Sequence, residues 1–111
     1  MPIISIDDLP AALEPGRTLA ALDLGEKTVG LAVSDKSLSF AHPRQVLARG
    51  KFSRDAEALA RAFAADDVGA VIMGLPINMD GSEGPRAQAS RAFVRNMQRA
   101  SALPFVFWDE R

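Results

Sequence analysis

The chain reads as an α/β domain with a mixed five-stranded sheet, half antiparallel hairpin and half parallel, flanked by helices. Three observations predict this. Thr18–Leu24 and residues 29–34 are short apolar runs joined by Gly25-Glu26-Lys27-Thr28, a turn sequence, and so form a hairpin. Residues 69–74 and 104–108 are further apolar runs, too short for helices. Each follows a segment with helical spacing, and strand–helix–strand order yields crossovers and parallel neighbours.

The elements follow in order. Residues 1–10 hold two aspartates and no basic residue, so they are not a secretory signal. Residues 1–17 read as an acidic leader expected to be mobile, with the folded domain running from 18 to 111. Thr18–Leu24 is expected to be largely buried, although Asp23 lies at its end. Residues 40–49 suit a third strand, which Pro43 confines to an edge or a bulge. Ser53 is the expected helix N-cap, and Asp55 in the first turn complements the dipole. Ala56, Leu59, Ala60, Phe63 and Ala64 then recur at helical spacing to about Ala65. Residues 75–84 form a loop rich in Pro, Asn, Asp and Gly. Pro85 opens a second helix whose modest apolar face is Ala87, Ser90, Phe93, Val94 and Met97. Arg91, Arg95 and Arg99 align one turn apart on another face, where a solvated stripe is favoured over a binding face.

Composition narrows the function. A length of 111 residues suits one domain, and 48% hydrophobic with 24% charged residues fits a packed protein. There is no cysteine, which excludes disulfides and thiolate metal sites and accords with an expected cytoplasmic location. No apolar stretch is long enough to span a bilayer, so no membrane partner is expected. The net charge of -1 excludes binding nucleic acid by bulk positive charge. Residues 84–108, however, carry Arg86, Arg91, Arg95 and Arg99 and no acid, a local distribution able to contact phosphates.

Asp23 is the most informative single residue. A carboxylate ending a buried strand is costly without a cation or hydrogen-bond donors, and the competing reading is a turn cap before Gly25. Asp109 and Glu110 form a second acidic site at a strand end, or else a solvated chain end. If both strands are parallel and central, their C-terminal ends share the edge where open α/β sheets bind ligands. Carboxylates meeting there would hold Mg²⁺ or Mn²⁺, hard cations that prefer oxygen. The polar loop before Pro85 offers free N–H groups at a helix N-terminus, a plausible phosphate site, with an ordinary connection as the alternative. Arg86 opposes that dipole and is better placed for a ligand than for helix stability. Lys27 and Arg111 could also neutralise a phosphate, and His42 has no recognisable partner.

Together, Asp23-Leu24-Gly25-Glu26-Lys27-Thr28-Val29-Gly30, then Gly74-Leu75-Pro76-Ile77-Asn78-Met79-Asp80-Gly81-Ser82-Glu83-Gly84-Pro85-Arg86, then Asp109-Glu110-Arg111, resemble the YqgF (RuvX) family. The resemblance covers the chain from about Thr18 onward. It implies a ribonuclease-H-like fold and metal-dependent phosphodiester cleavage, in Holliday junctions or in the precursor of 16S ribosomal RNA. It makes Asp23, Asp109 and Glu110 the catalytic acids, with Asp23 and Asp109 as metal ligands. Two ions are implied, one activating a water and one stabilising the leaving oxygen. Lys27, Asn78, Arg86 and Arg111 would bind the substrate backbone.

Two departures accompany the resemblance. Related classical resolvases carry a glutamate after the fourth strand, where Gly74-Leu75-Pro76 stands here, and Asp109 or Glu110 is the expected substitute. Family members also continue past Asp-Glu-Arg into a helical segment with a further acid, so a C-terminally incomplete site is expected. An exposed apolar patch would follow, with a homodimer as a possible state. The alternative function is a non-catalytic nucleic-acid or ribosome-associated factor on the same fold. An actin-like phosphotransferase ranks lower, since it needs two domains to enclose ATP.

Overall fold

The structure, a computed structural model, describes residues 3–36 and 41–110. Its strands are β1 (Ile3–Ile4), β2 (Thr18–Leu24), β3 (Thr28–Ser34), β4 (Ala41–Ala48), β5 (Val68–Leu75) and β6 (Phe105–Asp109). Its helices are α1 (Leu9–Ala12), α2 (Phe52–Ala65) and α3 (Pro85–Met97). The sheet order is β1-β6-β5-β2-β3-β4. β2, β3 and β4 pair antiparallel, while β2, β5, β6 and β1 pair parallel. This is the predicted mixed sheet with its hairpin and parallel halves, extended by one two-residue edge strand.

Period-two alternation assigns each strand residue to a face. Ala20, Leu22 and Leu24 of β2 face the same side as Val29, Leu31 and Val33 of β3, and all are buried. Leu59 and Phe63 of α2 and Phe93, Val94 and Met97 of α3 close over that face. The two helices also meet directly, with Phe52 and Phe93 edge to face at 5.4 Å. Side chains such as Leu59 and Phe105, at 0% exposure, each contribute on the order of 1.5–3 kcal/mol by burial. Among the described residues, no helix is long and apolar enough to cross a membrane.

The opposite face is covered only in part. Leu9 of α1 packs there on Ala70 and Val106, with Leu13, Leu19 and Ile72 around them. Beyond Ile72, toward the C-terminal ends of β2, β5 and β6, an open groove of about 540 Å³ exposes the sheet.

Three expectations are corrected. The residues assigned to a leader instead supply β1, which pairs with β6 through Ile3↔Phe105, and α1, whose Leu9 is buried. They are docked because Leu9 and Leu13 close an apolar cluster that the sheet would otherwise expose. Ser53 lies inside α2, whose N-cap is Lys51. The buried Asp55 carboxylate instead ties down the approach to the helix by accepting the Gly50 N–H at 2.9 Å. β2, expected to be largely buried, is buried on one side only. The third strand forms at the sheet edge as expected, over Ala41–Ala48, and Phe40 lies outside the described residues. Its register slips between Gln45 and Pro43, so Pro43 flanks a bulge.

Candidate active site

The strand alternation that buries Leu22 and Leu24 turns Asp23 to the open face. Asp23 is exposed, so the cost expected for a buried carboxylate does not apply to it. Its hairpin turn is held from both sides. Gly25 N–H donates to the Thr28 carbonyl at 2.8 Å, and the Arg49 guanidinium donates to the Gly25 carbonyl at 2.7 Å.

On β6, the same rule separates the two acids after Phe107. Gly74 and Trp108 are register partners on the open face, and Leu75 and Asp109 are partners on the helix-covered face. Glu110 returns to the open face, where it lines the groove together with Asp23. Its main-chain N–H donates to the Leu75 carbonyl at 3.1 Å, which carries the chain across the end of β5. The Glu110 carboxylate then occupies the space above Gly74, where any Cβ would collide with it. A glycine late in a central strand often marks such a close approach. Glu110 therefore stands where a side chain at position 74 would project.

The electrostatics place the tension on Glu110. Burial pushes its carboxyl above the ordinary value of 4.5, and the Asp23 charge pushes it further the same way, while Arg86 acts in opposition. Two carboxylates and one guanidinium thus gather at the C-terminal edge of three parallel strands, the edge where open α/β sheets bind ligands. The fit to Mg²⁺ or Mn²⁺ rests on this donor chemistry: converging hard oxygens whose repulsion is only partly relieved by Arg86. Among the described residues, no cluster of three or more His, Cys, Asp or Glu could enclose an ion. A carboxylate pair completed by water and substrate phosphate is still a common arrangement for Mg²⁺.

The remaining predicted residues divide. Arg86, in the first turn of α3, reaches the Glu110 field. Lys27 is exposed in the hairpin turn, with its carbonyl accepting the Arg49 N–H at 2.8 Å, and it does not line the groove. Asn78 is exposed but donates its amide to Ser82 Oγ at 3.0 Å within the loop. Asp109 is set apart from Asp23 by strand parity, so the expected metal pair of Asp23 and Asp109 is not brought together. Arg111 lies outside the described residues. Sequence reasoning missed Gly74 as the clearing for Glu110 and Trp108 as the aromatic wall of the groove, 54% exposed. Period-two counting from the Gly74–Trp108 pairing would have found both, but that pairing is not visible in one dimension.

Fold and site define the class: a ribonuclease-H-like α/β domain with paired acids at the C-terminal edge of its parallel strands. In solved structures the same fold occurs in Thermus thermophilus RuvC in complex with a Holliday junction substrate. That match has a TM-score of 0.62 at 12% identity and covers 85% of this chain and 65% of that one. A ROK family protein from Streptococcus pneumoniae, in complex with sucrose, matches with a TM-score of 0.53 at 12% identity, covering 84% and 34%. The fold alone is therefore shared by proteins of different chemistry.

Sequence is more specific. A family model described as RuvX, Holliday junction resolvase, matches residues 17–111. A Brucella anthropi protein named "Putative pre-16S rRNA nuclease" is 61% identical over 111 residues, which are 100% of this chain and 67% of that protein. A Brucella ovis protein of the same name is 60% identical and is covered to 68%. The chain belongs to the RuvX family.

Proposed function

We propose that this domain carries the catalytic centre of a metal-dependent nuclease that hydrolyses phosphodiester bonds in structured nucleic acid. The carrying observation is the convergence of Asp23 and Glu110 over the clearing at Gly74. The names of the relatives support the precursor of 16S ribosomal RNA as substrate ahead of branched DNA.

In this reading Asp23 and Glu110 supply the oxygen donors for Mg²⁺ or Mn²⁺. When bound, the cation offers Lewis-acid activation of water and charge stabilisation at phosphorus. Burial and the Asp23 charge raise the Glu110 carboxyl above its ordinary value, so its share as an ionised oxygen donor grows as pH rises. Arg86 acts on Glu110 through its charge, and its guanidinium is assigned to pair with a substrate phosphate near the carboxylates. Ala21, Ala32, Ile72 and Trp108 give the groove an apolar floor and wall beside the acids. Lys27 and Asn78 are assigned to the flanking backbone of the nucleic acid. The carboxylate pair provides for a single ion, and a second needs donors beyond those the described residues group together.

The test is cleavage of precursor ribosomal RNA and of a Holliday junction with Mg²⁺ or Mn²⁺. It should use this chain and a form extended to the length of its relatives. Loss of cleavage with retained RNA binding in Asp23→Asn supports the enzyme. Cleavage that survives Asp23→Asn and Glu110→Gln would overturn this catalytic centre, and RNA binding without cleavage by the extended wild-type form would leave a non-catalytic binding factor.

A further inference from the structure

Arg91 does not belong to the solvated stripe in which its spacing places it. Arg95 and Arg99 are exposed, but Arg91 is half-buried and doubly engaged. Its Nε donates to Glu83 Oε1 at 2.6 Å and its Nη2 to Glu83 Oε2 at 2.7 Å. The face of the same guanidinium lies over the Phe107 ring, 4.9 Å from its centre. The pairing holds Glu83 below the usual carboxylate range and Arg91 above its own. Only arginine offers a planar edge for the fork and a planar face for the ring together.

These contacts join three segments. Glu83 ends the loop that follows β5, Arg91 lies within α3, and Phe107 lies on β6 three residues before Glu110. The other end of that loop is tied to the same strand. The Leu75 carbonyl accepts from both Ile77 N–H, at 2.9 Å, and Glu110 N–H, at 3.1 Å. Between these ends the loop is braced internally, with Asn78 N–H donating to the Ser82 carbonyl at 2.9 Å and Ser82 Oγ to Asp80 at 2.6 Å. The result is a closed circuit: Leu75, loop, Glu83, Arg91, Phe107, Glu110 and back to Leu75. The loop's placement and the placement of Glu110 are two parts of one connected structure.

We infer that Arg91 is a positioning residue, which through Glu83 and Phe107 holds the Asn78-bearing loop and the Glu110 carboxylate in fixed relation. The kinetic part of this inference rests on the nuclease reading, and the structural part does not. In this role Arg91 acts through Glu83 and Phe107 and not by touching substrate or cation itself. It keeps the loop and the acid from moving independently, as groups supporting a catalytic set commonly do.

The experiment uses Arg91→Lys, which keeps the positive charge, and Glu83→Gln, which keeps the volume. Amide hydrogen exchange comes first. Both variants are expected to speed exchange at Asn78 and at Glu110 together, with exchange in β2 and β3 unchanged. Exchange at Glu110 that stays at the wild-type rate overturns the circuit, whatever the enzyme does. Kinetics come second, on precursor ribosomal RNA. Both variants should lower kcat by roughly tenfold with KM nearly constant, and the double variant should be little worse than either single. A rise in KM alone, steepening with salt and absent from Glu83→Gln, would make Arg91 a phosphate contact and overturn the positioning role. If the extended wild-type form shows no cleavage, the nuclease reading fails, and the exchange result still decides the circuit.

Discussion

The two faces of the sheet are built from alternate residues of the same strands, yet they have opposite chemistry. On the helix-covered side, Leu22, Leu31, Met73 and Phe105 are buried under α2 and α3. On the other side, the residues between them are Ala21, Asp23, Gly30, Ile72, Gly74 and Trp108, small or polar for the most part and open to solvent. The covered face holds the fold together, and the open face keeps the carboxylates where a substrate can reach them. The lesson is that stability and the candidate chemistry are separable here by a shift of one residue along a strand. Neighbours in sequence should therefore give opposite mutational phenotypes.

Asp23→Asn tests this most directly. Cleavage should fall by about a thousandfold, the loss of several kcal/mol of transition-state stabilisation, while thermal stability is unchanged or slightly raised. Its counterpart across the sheet is Phe105→Ala. Loss of that fully buried ring should cost about 3–5 kcal/mol in denaturant melts, with activity following the folded fraction. A Phe105→Ala protein of normal stability would dissolve the distinction between the faces.

Gly74→Ala sharpens the comparison, since it adds one methyl group to the open face. The atoms it meets are the flexible end of Glu110, so the side chain can swing aside at little cost to the fold. Folding free energy should change by less than about 1 kcal/mol, while cleavage falls by roughly tenfold to a hundredfold through the displaced carboxylate. A Gly74→Ala protein with unaltered cleavage would remove Glu110 from the catalytic set.

The pH dependence is the smallest expected effect, and its sign differs between two glutamates. Glu110 holds its proton more tightly in the folded chain than at the ordinary value of 4.5. Its contribution to stability is therefore greatest below that value and is lost as pH rises through the folded one. Glu110→Gln should remove that decline and raise the thermal midpoint slightly at neutral pH. Glu83 is held below 4.5 by Arg91, so its contribution is present above that value and disappears as pH falls through the folded one. Melting curves of Glu110→Gln and Glu83→Gln between pH 3 and pH 8, taken as a broad survey of the range, should diverge in these opposite senses.

Much of this was legible in one dimension because local chemistry dictated it. The Gly25 turn between apolar runs, Pro43 at a bulged edge and Pro85 at the first helical position each have one sterically favoured use. The N-terminal segment was not legible, since two strand residues and a four-residue helix carry no periodicity, and their docking depends on a distant apolar cluster. Ser53 was misplaced as a cap because α2 starts one residue earlier, at Phe52, with Lys51 as its N-cap and no side-chain cap. The two acids Asp109 and Glu110 could not be separated because the apolar residues 105–108 alternate in direction without alternating in polarity.

The sequence by itself determined the order of strands and helices from Thr18 onward, the mixed sheet and the family motifs. These follow from backbone sterics, hydrophobic period and residue type, which act over a few positions. Tertiary structure alone decided that Glu110 rather than Asp109 meets Asp23, that Gly74 clears the space for it, and that Arg91 leaves its stripe to hold Glu83 and Phe107. Each of these depends on strand register across a parallel sheet, where residues far apart in the chain become neighbours and a one-residue change of parity reverses the face.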